Sequence, residues 1–226
     1  MKQVVTVKRR ALAASEQRAE TLRERFAAEG ILVVNLISSP GSGKTTLLEA
    51  TVTQMRGSFS CAVIEGDVAT ERDADRLRAL GVPAHQVLTG GACHLDARQI
   101  EEALDLAPLL PADILFIENV GNLICPTTYD LGEDFKIALL STTEGDDKPF
   151  KYPAIFARAE MTVISKIDLL PHLPFDLAAV EEQLRSLNPS GTILKTSATT
   201  GDGIDEWCDL LTQRLAEKRR DAAPQE

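Results

Sequence analysis

Apolar side chains along this chain follow two periods, and the places where one gives way to the other predict the elements. Leu12, Ala19, Leu22 and Phe26 recur near helical spacing among Arg and Glu residues, so an amphipathic helix is expected to end at Gly30. Short β-branched runs follow at intervals, Ile31–Ile37, Cys61–Glu65, Ile114–Glu118, Ile137–Thr142, Met161–Ser165 and Thr192–Thr196, each of strand length. Between most of them lie helical patterns, at Thr45–Met55, Glu71–Leu80, Leu95–Leu106, Leu177–Leu187 and Ile204–Ala216. This alternation predicts parallel strands joined by helical crossovers. Runs such as ILVVNLI and ILFI are apolar on both faces, as strands covered by helices on two sides must be. The expected fold class is α/β, a doubly wound, mostly parallel sheet flanked by helices on both faces. The expected organisation is a helical extension over residues 1–30, one domain over 31–218 and a flexible tail over 219–226, with no internal repeat.

Composition narrows the class. The 226 residues are 44% hydrophobic, enough for one sizeable core and too many for a disordered chain. No apolar run reaches the roughly 18–20 residues that span a bilayer, and the charged N-terminus has no hydrophobic leader, which predicts a cytoplasmic chain without a membrane partner. With 24 Lys+Arg against 34 Asp+Glu and a net charge of -10, a general nucleic-acid binder is not expected, because phosphate neutralisation dominates such affinity. Cys61, Cys93, Cys125 and Cys208 are scattered without a CxxC pair, so they are expected as reduced thiols or metal ligands rather than a disulfide framework.

The first chemical signal is Ser38-Ser39-Pro40-Gly41-Ser42-Gly43-Lys44-Thr45, placed after a strand and opening a helix. That context turns a GxxxxGK[ST] match into a phosphate cradle and the fold into a P-loop NTPase: backbone N–H groups face phosphate oxygens, Lys44 reaches the β and γ phosphates, and Thr45 ligates Mg²⁺. Gly41, Ser42, Gly43, Lys44, Thr45 and Thr46 form the expected nucleotide-binding set. The first glycine of the pattern is Ser38 here, so Pro40-Gly41 must supply the bend. Two carboxylates at the carboxyl ends of strands, Asp67 and Glu118, suit the metal, with Glu118 the better Walker-B candidate. Asp67 also reads as a solvated loop acid or a helix cap. Gly121 follows where a backbone N–H could sense the γ-phosphate.

Ser165-Lys166-Ile167-Asp168 after one strand, and Thr196-Ser197-Ala198 after the next, resemble the base-reading pair of GTPases. In those proteins the Asp accepts two hydrogen bonds from guanine, the Lys stem covers the base and the Ala N–H faces its O6. Adenine offers a donor where that site needs an acceptor, so the pair predicts GTP and GDP. Ser165 replaces the usual Asn or Thr that braces the site.

Cys93-His94 and Cys125 are thiols and an imidazole of the kind that suit Zn²⁺ or Ni²⁺. Three ligands leave a site incomplete, and a two-fold dimer would double the count. From the residues alone, a buried Cys and a stray His read equally well. His85 and His172 have no thiol neighbours in sequence, and Cys61 and Cys208 read as core.

Taken together, NLISSPGSGKTTLLEAT, VIEGDVATERDADRLRALGVPAHQVLTGGACHLDA, LFIENVGNLICPTTYDLGED, TEGDDKPFKYP, SKIDLLP and TSATTGDGIDEW resemble the hydrogenase-maturation nickel-insertion GTPases, the HypB family, over about Val4 to Leu215. The resemblance implies GTP-dependent homodimerisation, slow GTP hydrolysis, and a Ni²⁺ or Zn²⁺ site of Cys93, His94 and Cys125 at the dimer interface. It further implies nickel transfer with a HypA-type partner to the large subunit of [NiFe]-hydrogenase. The N-terminal CxxCGC motif and the His-rich stretch of some members are missing from MKQVVTVKRR, so nickel storage is not expected. A urease-type nickel chaperone GTPase is the nearest rival, but its Cys-Pro-His is Cys125-Pro126-Thr127 here. A P-loop small-molecule kinase would leave Lys166, Asp168, Ser197 and Ala198 without a role, and a purely structural dimeric module would not turn GTP over. The residues expected to carry catalysis are Lys44, Asp67, Glu118 and Lys148, the last from a polar loop from which a lysine could contact phosphate across a dimer. No general base, arginine finger or water-orienting glutamine can be assigned, which predicts slow turnover.

Overall fold

The structure, a computed structural model, describes residues 2–67 and 71–222, with side chains from residue 13 onward, so the side chain of Leu12 lies outside it. Helix α1 (Lys2–Ala28) begins earlier than the amphipathic pattern predicts, and Gly30 follows its end at φ +64°. Then come β1 (Leu32–Ser38), α2 (Lys44–Gln54), β2 (Cys61–Asp67), α3 (Arg72–Ala79), β3 (Ala84–Leu88), α4 (Ala97–Leu106), β4 (Ile114–Glu118) and β5 (Phe135–Ser141). Two short helices, α5 (Lys148–Lys151) and α6 (Pro153–Arg158), precede β6 (Met161–Ser165), α7 (Leu177–Leu187), β7 (Thr192–Thr196) and α8 (Ile204–Ala222).

The strands form one seven-stranded sheet in the order β3-β2-β4-β1-β5-β6-β7, parallel throughout. Six of these strands are the predicted ones. The seventh, β3, lies at an edge and is only partly covered, so its AHQVL carries no apolar run for a pattern to register. The polar loop expected around Lys148 is helical, as α5 and α6, each with a proline in its first turn where the missing N–H costs nothing. The expected tail is partly ordered: Arg219–Ala222 continue α8 and Arg219 pairs with Asp113, while residues 223–226 lie outside the described residues.

Alternation along β1 sorts the core onto the two faces. Leu32, Val34 and Leu36 join Leu47, Leu48, Phe116, Trp207 and Leu211 on the α2 and α8 side. Val33 meets Ala19, Leu22 and Phe26 of α1 and Ile100 of α4 on the other face, while Ile37 meets Phe156 of α6 and Val180 of α7. Trp207 keeps its ring fully buried by donating its indole N–H to Thr51 Oγ1 at 2.8 Å. The same alternation sends Glu65 and Glu118 to the α2 face and Gly66 and Asn119 to the α1 and α4 face.

Candidate functional site

The loop after β1 curls through Gly41 at φ +76° and Gly43 at φ +96°, both left-handed. Ser38 is the last residue of β1, so no left-handed turn is needed there. Its buried hydroxyl instead takes hydrogen bonds from Ser42 Oγ at 2.5 Å and Lys44 Nζ at 3.1 Å. Gly43 stands at the N-cap of α2 with no side-chain cap, which leaves the first-turn N–H groups facing the cleft. Thr45 Oγ1 donates to Glu118 Oε1 at 3.0 Å, and Lys44 Nζ lies 3.8 Å from the same oxygen. Glu65 pairs in register with Glu118 across β2 and β4, and both are almost fully buried. Burial, reinforced by the neighbouring Glu118 carboxylate, pushes Glu65 up to about 11, so it is neutral at pH 7. Burial also raises Glu118, while Lys44, Glu65 and Thr45 oppose the rise.

The cleft over these groups has a volume of about 450 Å³ and is bounded by Pro40, Lys44, Thr45, Asp67, Gly121 and Lys166. Its donor set fits a hard cation. The Thr45 hydroxyl and the Glu118 and Asp67 carboxyl groups converge there, and the buried Glu118 Oε2 has no hydrogen-bond partner among the described residues. Asp67 ends β2 half-buried on the cleft. Thr46 is exposed beside it and accepts from Arg76 at 3.2 Å, while Gly121 leaves no room for a side chain, since a Cβ there would stand 2.8 Å from Pro40 Cγ.

Lys166 adopts φ +59°, left-handed for a non-glycine, and its ammonium donates to the Gly41 carbonyl at 2.7 Å. The turn that follows presents Asp168, half-buried. Ser165 braces the site in its own way, donating to the Ser42 carbonyl at 2.7 Å. The Ser197–Gly203 loop is closed by Ser197 N–H to the Asp202 carbonyl at 2.9 Å, with Ser197 buried and Ala198 half-exposed.

Cys93, His94 and Cys125 offer ligand atoms that all lie within 4.8 Å of one another. Cys93 Sγ and His94 Nδ1 are 3.5 Å apart, and the His94 ring stacks on Tyr129 with centroids 3.7 Å apart. Burial lowers the His94 pKa against the opposing pull of Asp96, which favours the neutral imidazole that a metal requires. The adjacent Cys125 thiol raises Cys93, so metal binding there has to expel a proton. Asn122 joins the two loops by donating to the Cys93 carbonyl at 3.2 Å.

The family model for the CobW/HypB/UreG nucleotide-binding domain matches residues 32–195. The hydrogenase maturation factor HypB of Escherichia coli (strain K12) is 55% identical over 199 residues, covering 88% of this chain and 69% of that protein. The chain belongs to the HypB family. The crystal structure of HypB from Helicobacter pylori in complex with nickel superimposes with a TM-score of 0.85 at 42% identity, covering 94% of this chain and 99% of that one. HypB from Archaeoglobus fulgidus gives 0.85 at 38% identity, with 90% and 100% covered.

Within this HypB-family chain, Lys148 lies beside the phosphate loop. Its ammonium is 3.4 Å from Ser39 Oγ of its own phosphate loop and 3.8 Å from Glu144. Glu65, Arg76, Asn119 and Tyr129 are the site residues that the motifs missed. For Glu65 a signal existed: it lies two residues before Asp67 on one strand, which puts both carboxyls on one face. Arg76 lines the cleft but is engaged, 2.5 Å from Glu49 and 3.1 Å from Asp73.

Proposed function

We propose that this chain is a cytoplasmic GTPase that controls nickel insertion into [NiFe]-hydrogenase during its maturation. The observation that carries the reading is a soft three-donor cluster built on the loops after β3 and β4, with Cys125 seven residues beyond Glu118 of the cleft. GTP lies with its phosphates on the N–H groups of Gly41 to Thr46 and on Lys44, and with guanine between Lys166, Asp168 and the Ala198 N–H. Thr45, Glu118 and Asp67 would hold Mg²⁺, and the cation would supply charge stabilisation for the transferring phosphoryl group. Water attacks the γ-phosphorus and the bond to the β-phosphate oxygen breaks, giving GDP and phosphate. Lys44 offsets the charge that builds on the phosphate oxygens. Turnover is slow, because Arg76 is held in ion pairs and is not free to stabilise the transferring phosphoryl group. Lys148, beside Ser39, reaches the phosphates of its own subunit or of a partner copy.

Nickel, or zinc in its place, is cargo on Cys93, His94 and Cys125, and a second copy across a two-fold axis completes the coordination. Ile124, next to Cys125, is 64% exposed and apolar, which suits burial against that copy. The chain then works with a HypA-type partner and the hydrogenase large subunit.

Light scattering tests this with GDP or a non-hydrolysable GTP analogue, each with and without one equivalent of Ni²⁺. The expected result is a dimer with the analogue, strengthened by Ni²⁺ and weakened by Cys93→Ala or Cys125→Ala. A monomer in every condition sinks the shared metal site. Lys148→Ala is expected to slow phosphate release, and normal turnover and dimerisation in that variant removes Lys148 from the mechanism.

A further inference from the structure

We propose that Asn119 is the residue through which the state of the nucleotide cleft reaches the metal-binding loop. This rests on the metallochaperone reading above and adds a path to it. Glu118 and Asn119 are consecutive at the end of β4, so their side chains leave on opposite faces of the sheet. Glu118 faces Thr45 and Lys44. Asn119, 1% exposed, faces the metal loop: its Oδ1 accepts from the Leu95 N–H at 3.2 Å and the Val120 N–H at 3.0 Å. Leu95 directly follows His94. The Asn119 amide cannot swing independently, because its Nδ2 donates to Asn35 Oδ1 at 3.2 Å and Asn35 in turn donates to Glu133 at 3.2 Å, all buried.

Two close contacts give the same loops further grip on the cleft. A Cβ on Gly66, the residue before Asp67, would lie 2.9 Å from Leu95, so β2 and Leu95 touch without slack. Gly121 abuts Pro40 of the phosphate loop just as closely, and the next residue, Asn122, holds the Cys93 carbonyl. Thr45 and Glu118, the residues that would hold Mg²⁺, are joined by a hydrogen bond that loading of the cleft would disturb, and the end of β4 would adjust with it. Asn119, one peptide bond away, then carries that adjustment to Leu95 and His94. Packed interiors move between discrete arrangements rather than deforming smoothly, which lets a small shift at one end alter ligand geometry at the other.

Nickel affinity of the full chain, measured by competition with a chromophoric chelator under saturating GDP and a saturating non-hydrolysable GTP analogue, reads the coupling. Wild type is expected to show affinities differing by about fivefold or more between the two states. Asn119→Ala should bring that ratio to within about twofold of one while GDP binding persists. Amide hydrogen exchange at Leu95 in wild type needs neither metal nor variant and should differ by about threefold or more between nucleotide states. An Asn119→Ala ratio equal to wild type, equal wild-type affinities, or a Leu95 amide indifferent to nucleotide each overturns the relay. A wild-type chain that binds no nickel at all defeats the metallochaperone reading instead, and the Leu95 amide still decides the relay.

Discussion

On the proposed reading, Asp168 is the residue on which base choice turns, with its carboxylate as the acceptor offered to guanine N1–H and the 2-amino group. Asp168→Ala is expected to weaken GDP binding by about 100-fold or more, with ADP binding changed little, as read by calorimetry. Equal losses for both nucleotides would move recognition elsewhere. Gly203 serves the same site from behind: at φ +70°, a Cβ would lie 2.0 Å from the Lys195 carbonyl oxygen. Gly203→Ala must displace the loop that holds Ala198, and it should cost about 2 kcal/mol or more, lowering the melting temperature by roughly 4–8 °C. Residues such as Lys44, Lys166 and Cys93 were legible in the sequence because their chemistry comes in contiguous strings. Asn119 and Tyr129 were not, because an amide or a ring acquires its role only from what the fold brings against it, Leu95 and His94 here.

The interior strands were legible because they are buried. β1, β4 and β6 lie inside the sheet and announce themselves as apolar runs. β3 draws its stability from backbone pairing to β2 along one side, with pairs such as Val63 to Ala84, and backbone pairing leaves no trace in side-chain pattern. Joints between elements were equally silent. Asp113, at the head of β4, accepts from Ser60 N–H at 2.6 Å and Ser60 Oγ at 2.7 Å, and pairs with Arg219 near the end of α8. Burial acts to raise its pKa, but these partners outweigh it and hold the carboxyl below the ordinary value of 3.8. A depressed folded pKa contributes stability that is complete above the ordinary value and is lost as pH falls through the depressed one. Asp113→Asn is therefore expected to cost about 1 kcal/mol at neutral pH, with the difference from wild type closing in acid. A difference unchanged down to pH 2 in urea titrations would rule out that assignment.

For the whole molecule, α1 is a wall of the core as much as an extension. Phe26 and Ala19 are fully buried, and Gly132 comes so close that a Cβ would stand 2.8 Å from the Ala19 carbonyl. A chain beginning at Ile31 would expose Val33, Ile64 and Leu115, and is expected to bind a hydrophobic dye and lose its sharp melting transition. An unchanged transition would make α1 dispensable. The strand order has a consequence for the chain's birth. β1 carries the phosphate loop, yet its ladder partners are β4 and β5, with Leu32 beside Ile114 and Val34 beside Phe135. At about 5–20 residues per second, β1 leaves the ribosome several seconds before either partner exists. The residues proposed to read the base, at 166–198, emerge later still, so on that reading the nucleotide cannot template folding of a nascent chain. Until nearly all of it is made, the future GTP site is an apolar strand exposed to chaperones and to other chains.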